Sequence, residues 1–220
     1  MKSWFERSYV YRKKIHPILT KMPFYDYWML RRHSMLSRNG WFKSFRSGKS
    51  VDRDGRPVPW FVYSAVEFID ERLPLDTVVF EYGSGSSTLW WAKRVATIHS
   101  VEHSQMWKAK MSEAIPANVT LIHRKPGEGY ESSVLLSGKL YDLIILDGRN
   151  RDKCLGHSLQ ALSGRGVILF DDSDWDKYQK TISYIRSLGF RQMPFRGMCP
   201  IEFRESETSV FYRDGNLLGI

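Results

Sequence analysis

From residue 60 onward the chain alternates short apolar runs with polar stretches of helical length. The runs at 77–81, 119–122, 141–146 and 166–170 are mostly large apolar residues, and 97–101 carries Ile98 and Val101. Such runs suit strands covered on both faces, as in parallel sheets. The stretches 87–94, 105–114, 149–162 and 174–188 have the length and composition of helices, as does 60–72, which stops before Pro74. Strands alternating with helices predict an α/β, Rossmann-like, doubly wound sheet. Within 174–188, Trp175, Tyr178, Ile182, Ile185 and Leu188 recur every three or four residues, a stripe expected to face the core. The tail breaks the pattern. Two strand-like runs at 190–195 and 208–213 have no clear helix between them, so they are expected to pair antiparallel.

The first sixty residues read differently. Short helices are expected at 2–14 and 23–38, interrupted at His16-Pro17 and Met22-Pro23. The segment 46–59, RSGKSVDRDGRPVP, has the Gly, Pro and charge of a loop. We therefore divide the chain into a basic, aromatic-rich, helical N-terminal arm (1–59) and a main domain (60–220). Charge sharpens this division. The net charge is +9, yet residues 1–60 hold 14 Lys and Arg against 4 Asp and Glu, and 12 of the 31 aromatics. A stretch of this kind suits an anionic membrane surface, a nucleic acid or an acidic glycan; its blander role is an arm packed on the main domain with a solvated charged face. The near-neutral remainder argues against nucleic acid gripped along the whole protein. Two cysteines, Cys154 and Cys199, form neither a disulfide framework nor a zinc spacing, and no apolar run approaches the ~20 residues that span a bilayer. The expected location is the cytoplasm, at most peripheral to a membrane.

The candidate chemistry begins at residues 77–94, TVVFEYGSGSSTLWWAKR. A buried strand runs into the tight loop Gly83-Ser84-Gly85, and a helix follows. Gly83 permits a sharp turn, and Gly85 lets a ligand approach the backbone with no Cβ in the way. The loop lies beyond the carboxyl end of its strand, where open α/β sheets bind ligands. A second strand ends at Glu102, whose carboxylate can accept both hydroxyls of a ribose. A dinucleotide loop would carry a third glycine where Thr88 stands. Glu81 would repel a pyrophosphate and suit a cation, which favours S-adenosylmethionine (SAM), with its sulfonium and ammonium.

On these residues the chain resembles the class I SAM-dependent methyltransferases over roughly 60–215. Glu81-Tyr82-Gly83-Ser84-Gly85 is similar to the family's first motif and Glu102 to its ribose-binding acid. YDLIILDG (141–148) is similar to the fourth motif, with Asp147 facing the methyl-transfer site, and GRGVILFDD (164–172) to the following strand. The resemblance implies a seven-stranded sheet in the order 3-2-1-4-5-7-6 with the last strand antiparallel. It implies a cofactor set of Glu81, Tyr82, Gly83, Ser84, Gly85, Ser87 and Glu102. His103, which follows the ribose acid, joins the set as a candidate contact of the adenine; its blander role is that of a surface histidine. The run Asp147-Gly148-Arg149-Asn150-Arg151 is similar to that of small bacterial members of undefined substrate.

Methyl transfer is an in-line displacement that needs alignment and a nucleophilic acceptor, so Asp147 and Arg149 are the catalytic candidates. Arg149 and Arg151 suit an anionic acceptor; their blander role is that of solvated helix-start residues. Asp147, Asp171 and Asp172 end adjacent strands and together suit Mg²⁺ or Mn²⁺; the plainer reading is that Asp171-Asp172-Ser173-Asp174 caps the next helix. His123 and Tyr130 flank the third strand's end as further pocket candidates. The asparagine-proline-proline-aromatic motif of amino-group methylation is absent after the fourth strand, which leans toward oxygen. The expected function is O-methylation of a small-molecule, sugar or lipid-linked acceptor. The alternative is a non-catalytic nucleotide-binding or membrane-recruited module on the same fold. Gly48-Lys49-Ser50 lacks the first glycine and preceding strand of a phosphate loop, and His99 and His103 share a strand rather than the helical face of a zinc site.

Overall fold

The computed structural model describes residue 9 and residues 11–220. A single seven-stranded sheet has the order β3-β2-β1-β4-β5-β7-β6, with β1 at Val78–Tyr82, β2 at Thr97–Glu102, β3 at Val119–His123, β4 at Tyr141–Leu146, β5 at Leu162–Asp171, β6 at Arg191–Gly197 and β7 at Ser206–Tyr212. The first five strands pair in parallel. β7 lies antiparallel between β5 and β6. This is the order the sequence resemblance implies.

Central β4 shows why the sheet is wound on both faces. All six of its residues are buried. Ile144 and Leu146 enter one core with Phe80, Tyr82, Phe170 and Ile182, while Leu143 and Ile145 enter the opposite core with Val79, Trp91, Ile98 and Leu169. Two apolar faces with a two-residue period require helices on both sides.

The arm folds as a π-helical turn at Tyr11–Ile15 and four helices: α1 His16–Leu19, α2 Tyr25–His33, α3 Met35–Arg38 and α4 Trp41–Ser47. Most of the expected helix 2–14 lies outside the described residues. Helix α4 occupies a stretch assigned to the arm but not expected to be helical. It is bracketed by Gly40 and Gly48, both in the left-handed region. At Gly40 an added Cβ would stand 2.2 Å from the Asp52 carbonyl carbon, so only glycine permits this approach. The expected loop 46–59 is partly ordered by a Val51–Pro57 bridge and by Ser44 Oγ, which donates to Val51 O. Trp41 Nε1 donates to Glu202 O at 2.6 Å and ties the arm to the main domain.

The main-domain helices are α5 Tyr63–Asp70, α6 Ser86–Trp91, α7 Gln105–Ser112, α8 Arg151–Ala161 and α9 Gln179–Ser187. Two expectations need correction. β5 starts at Leu162 rather than 166, with an irregular register against β4. The helix expected at 174–188 is a 3-10 turn, Asp176–Tyr178, followed by α9. Its stripe is core only at Tyr178, Ile182 and Ile185, while Trp175 and Leu188 are exposed. Among the described residues no helix is long and apolar enough to cross a membrane.

Candidate cofactor and acceptor site

The carboxyl ends of β1, β2, β4 and β5 meet at one edge of the sheet. Gly83 follows β1 with φ +91°, and a Cβ there would stand 3.0 Å from Asp147 O, so the β1 and β4 turns nearly touch. Gly83 N–H donates to Val101 O, which directs the loop across β2 toward Glu102. The Glu102 carboxylate accepts from Ser84 N and Ser84 Oγ, each at 3.1 Å, and from Ser104 N at 2.7 Å. A cavity of about 370 Å³ opens above it, lined by Gly83, Ser84, Glu102, His103, Trp107, Asp147 and Arg149 among others. His103 Nδ1 is buried without a hydrogen bond; it stands 2.9 Å from Glu102 Oε1 but out of line with it. A Cβ added at Gly85 would meet no atom within 4 Å.

Gly83, Ser84, Glu102 and His103 are thus together on one cavity; Gly85, Glu81, Tyr82 and Ser87 are not in its lining, and the last three are turned inward. Glu81 is fully buried. Its carboxylate accepts from Ser87 Oγ at 2.6 Å, Thr88 Oγ1 at 2.5 Å and Ser100 Oγ at 3.1 Å. It braces the glycine loop from beneath instead of meeting a ligand's charge. Ser87 is committed to that contact. Tyr82 is also fully buried, and its hydroxyl donates to Glu131 O. Strand alternation explains this pair, because neighbouring side chains leave β1 on opposite faces and both faces are covered. Desolvation raises the Glu81 carboxyl to about 7, against the three hydroxyls that favour its ionised form.

The metal expectation also fails. Asp147, Asp171 and Asp172 do converge, but Arg151 from the first turn of α8 stands among them. Its guanidinium lies 3.2 Å from Asp147 Oδ1, 2.9 Å from Asp172 Oδ2 and 3.8 Å from Asp171 Oδ2, and is only 11% exposed. It also donates to the Asp171 carbonyl. Asp171 Oδ1 accepts from Thr208 Oγ1 at 2.7 Å. A guanidinium takes the charge position a cation would need, so the donor set does not fit Mg²⁺ or Mn²⁺. Among the described residues no group of His, Cys, Asp and Glu is arranged to hold a metal. The helix-cap reading of these acids falls as well, since α9 begins later, at Gln179, without a side-chain cap. Asp172 instead turns the chain in the left-handed region, with φ +53°.

Arg149 lies exposed on the cofactor-side cavity and makes no ion pair among the described residues, whereas Arg151 is the organised cation. His123 Nε2 contacts His103 O. Tyr130 is buried beneath the β4 turn, where its hydroxyl accepts from Arg149 N.

Burial raises the Asp147 carboxyl to about 7, although its side chain remains 24% exposed; Arg151 opposes this rise, and the Glu81 and Asp172 charges add to it. Burial and then Asp147 push Asp171 well up too.

Beyond Asp147 and Arg151 a second cavity of about 410 Å³ opens. Its walls carry six carboxylic residues against Arg151 and Arg204, and the indoles of Trp60 and Trp175. Sequence reasoning assigned Trp60 and Trp175 to helices and did not single out Trp107 or Trp60. Trp107 Nε1 donates to Ser84 O at 2.7 Å, so the indole is fixed at the rim of the cofactor-side cavity.

No family model matches the chain, and no curated protein matches it. Solved structures do. A chain from Klebsiella pneumoniae proposed to be an O-methyltransferase is 15% identical, with TM-score 0.58, covering 90% of this chain and 100% of its own. A Streptococcus thermophilus rRNA methylase is 16% identical, with TM-score 0.54 and coverage of 69% and 96%. The O-methyltransferase TomG of Streptomyces achromogenes, solved with SAM, is 13% identical, with TM-score 0.53 and coverage of 68% and 77%. The chain has the class I SAM-dependent methyltransferase fold.

Proposed function

We propose that the protein is a SAM-dependent methyltransferase that methylates oxygen on a polyhydroxylated small molecule or sugar, lipid-linked forms included. On this reading it works in the cytoplasm, with the basic arm at an anionic surface. The observation that carries the reading is the meeting of two cavities at Asp147 and Arg151. Bound SAM supplies an electrophilic methyl on a sulfonium. The residues fit it: Glu102 offers a carboxylate to ribose hydroxyls, Gly85 leaves the loop open, Trp107 and the unpartnered His103 flank the space, and Gly83 keeps the turn tight.

The acceptor side has its own chemistry. Carboxylates outnumber cations there, so an anionic acceptor would meet repulsion, while hydroxyls would find acceptors for their hydrogen bonds. The indoles of Trp60 and Trp175 offer apolar walls. Asp147 stands between the two cavities, and a carboxyl with a proton affinity near neutrality is suited to taking a hydroxyl proton as the oxygen becomes nucleophilic. Arg151 holds Asp147, Asp171 and Asp172 at fixed spacing, so it positions the base and leaves contact with the acceptor to others.

Turnover is expected to rise with pH through about 7, as Asp147 ionises. Asp147→Asn is expected to lose roughly 10²–10⁴-fold in kcat. Steady-state rates across pH 5.5–8.5 check both, and full turnover by Asp147→Asn would remove Asp147 from the reaction.

A further inference from the structure

The arm holds a cavity of its own, about 410 Å³ in volume and separate from the two at the sheet edge. Its charged lining is wholly basic: Arg31, Lys43, Arg46 and Arg53, accompanied by Ser37 and Ser47. Lys43 and Arg46 project from one side of α4, Arg31 comes from α2, and Arg53 is brought in by the close approach at Gly40. Arg31 lies 5.1 Å over the Phe42 ring and donates to Tyr27 Oη at 3.1 Å, which fixes its direction. The acids on either side of Arg53 in sequence are engaged elsewhere. Asp52 Oδ1 accepts from the backbone N–H groups of Asp54 and Arg56, and Asp54 pairs with Arg56. Lys43, Arg46 and Arg53 have no ion pair among the described residues.

Four cations around one concavity, with no acid among the described residues that line it, repel one another unless an anion is present. Cationic forks and hydroxyls are the groups that hold phosphate. A second observation selects the kind of phosphate. The same arm exposes large apolar side chains, among them Ile18, Met22, Phe24, Trp28, Leu30 and Met35, with Phe24 at 83%. The non-aromatic ones, Ile18, Met22, Leu30 and Met35, gain nothing from a nucleic acid, which rewards cations and stacking aromatics. They gain from the interfacial zone of a bilayer, where cations meet headgroups and apolar groups enter the acyl boundary.

We propose that this basic cavity seats the phosphate of an anionic lipid headgroup while the neighbouring apolar side chains enter the bilayer interface. It deepens the surface role given to the arm above and does not depend on the methyl-transfer reading. The functional consequence follows from Trp41. That residue begins α4, which carries Lys43 and Arg46, and it bonds to Glu202 on the wall of the acceptor cavity. A bilayer held by the arm would therefore lie near the mouth through which a lipid-linked acceptor would enter.

The test is co-sedimentation of the full chain with phosphatidylcholine vesicles, with and without about a third phosphatidylglycerol. Wild type is expected to bind the anionic vesicles only. Lys43→Gln/Arg46→Gln is expected to partition roughly 30-fold more weakly, at the usual contribution per surface cation. Lys180→Gln/Arg186→Gln, which neutralises two exposed cations on α9, is expected to change binding less than threefold. Both double variants change exposed residues only, and equal thermal midpoints confirm folding. No binding of wild type to anionic vesicles overturns the surface role itself. Binding weakened equally by both double variants, or by neither, leaves the surface role and overturns the cavity as its seat. Displacement from vesicles by millimolar glycerol phosphate would show that the cavity takes a free phosphate ester in preference to a bilayer, and tighter binding of a single-stranded RNA than of vesicles would assign it to nucleic acid; either overturns the lipid proposal.

Discussion

Replacing Glu81 by glutamine distinguishes a carboxylate that meets the cofactor from one that holds the loop. The folded protein raises this carboxyl from an ordinary 4.5 to about 7 because it is completely desolvated. The folded state then holds the proton more tightly than the unfolded chain, so its stability is greatest below about 4.5 and declines as pH rises to about 7. At about 1.4 kcal/mol for each tenfold in proton affinity, the decline is roughly 3 kcal/mol. For a chain of this size that corresponds to about 6–12 °C in Tm. Glutamine keeps an oxygen for the Ser87, Thr88 and Ser100 hydroxyls, which can rotate to meet its amide, and it carries no charge to desolvate. About 2.5 kcal/mol of that decline falls between pH 5 and pH 8, so the Tm of Glu81→Gln relative to wild type is expected to climb by roughly 5–10 °C over that range, measured by differential scanning calorimetry. Affinity for S-adenosylhomocysteine should change less than about threefold. A Tm difference constant with pH would refute the buried titration. Loss of cofactor binding by a cooperatively folded variant would return Glu81 to the cofactor set.

Two further outcomes follow from the site. Trp107→Ala removes an indole fixed at the cavity rim by its bond to Ser84 O, and fluorescence titration should show S-adenosylhomocysteine binding weakened about tenfold, within the range of base–aromatic stacking, with Tm within about 2 °C of wild type. Because Arg151 bridges the three acids, turnover should be unchanged within twofold in EDTA; loss of activity restored by Mg²⁺ or Mn²⁺ would show that the guanidinium yields its place.

The sheet was legible because its strands are either fully buried runs, as in β4, or a helix-free pair, as in β6 and β7. The strand order itself came from the family resemblance. The loop glycines and Glu102 were legible for the same reason: they sit at strand ends, where backbone direction alone decides what is exposed. The side chains went wrong where direction about the strand mattered. Glu81 and Tyr82 flank the motif glycine, but both faces of β1 are covered, and the hydroxyls of Ser87, Thr88 and Ser100 were the available sign that Glu81 has partners inside. Arg151 was singled out for an anionic acceptor, and its place among the acids escaped, because a pattern of acids at strand ends does not show which cation from a following helix turns back among them. Trp60 and Trp107 escaped because each stands in a stretch expected to be helical, and the pattern does not show which indole reaches the sheet edge. The arm's basic and aromatic bias was plain in composition, yet its cavity depends on Gly40 and Gly48 bracketing a helix that periodicity alone did not reveal.

The central claim is that this fold carries a working SAM site in this chain. Isothermal titration of the purified full-length protein with S-adenosylhomocysteine, with NAD as the control, tests it most directly. Micromolar binding of the first and none of the second is expected. A folded protein that binds neither, or that binds NAD instead, would contradict it.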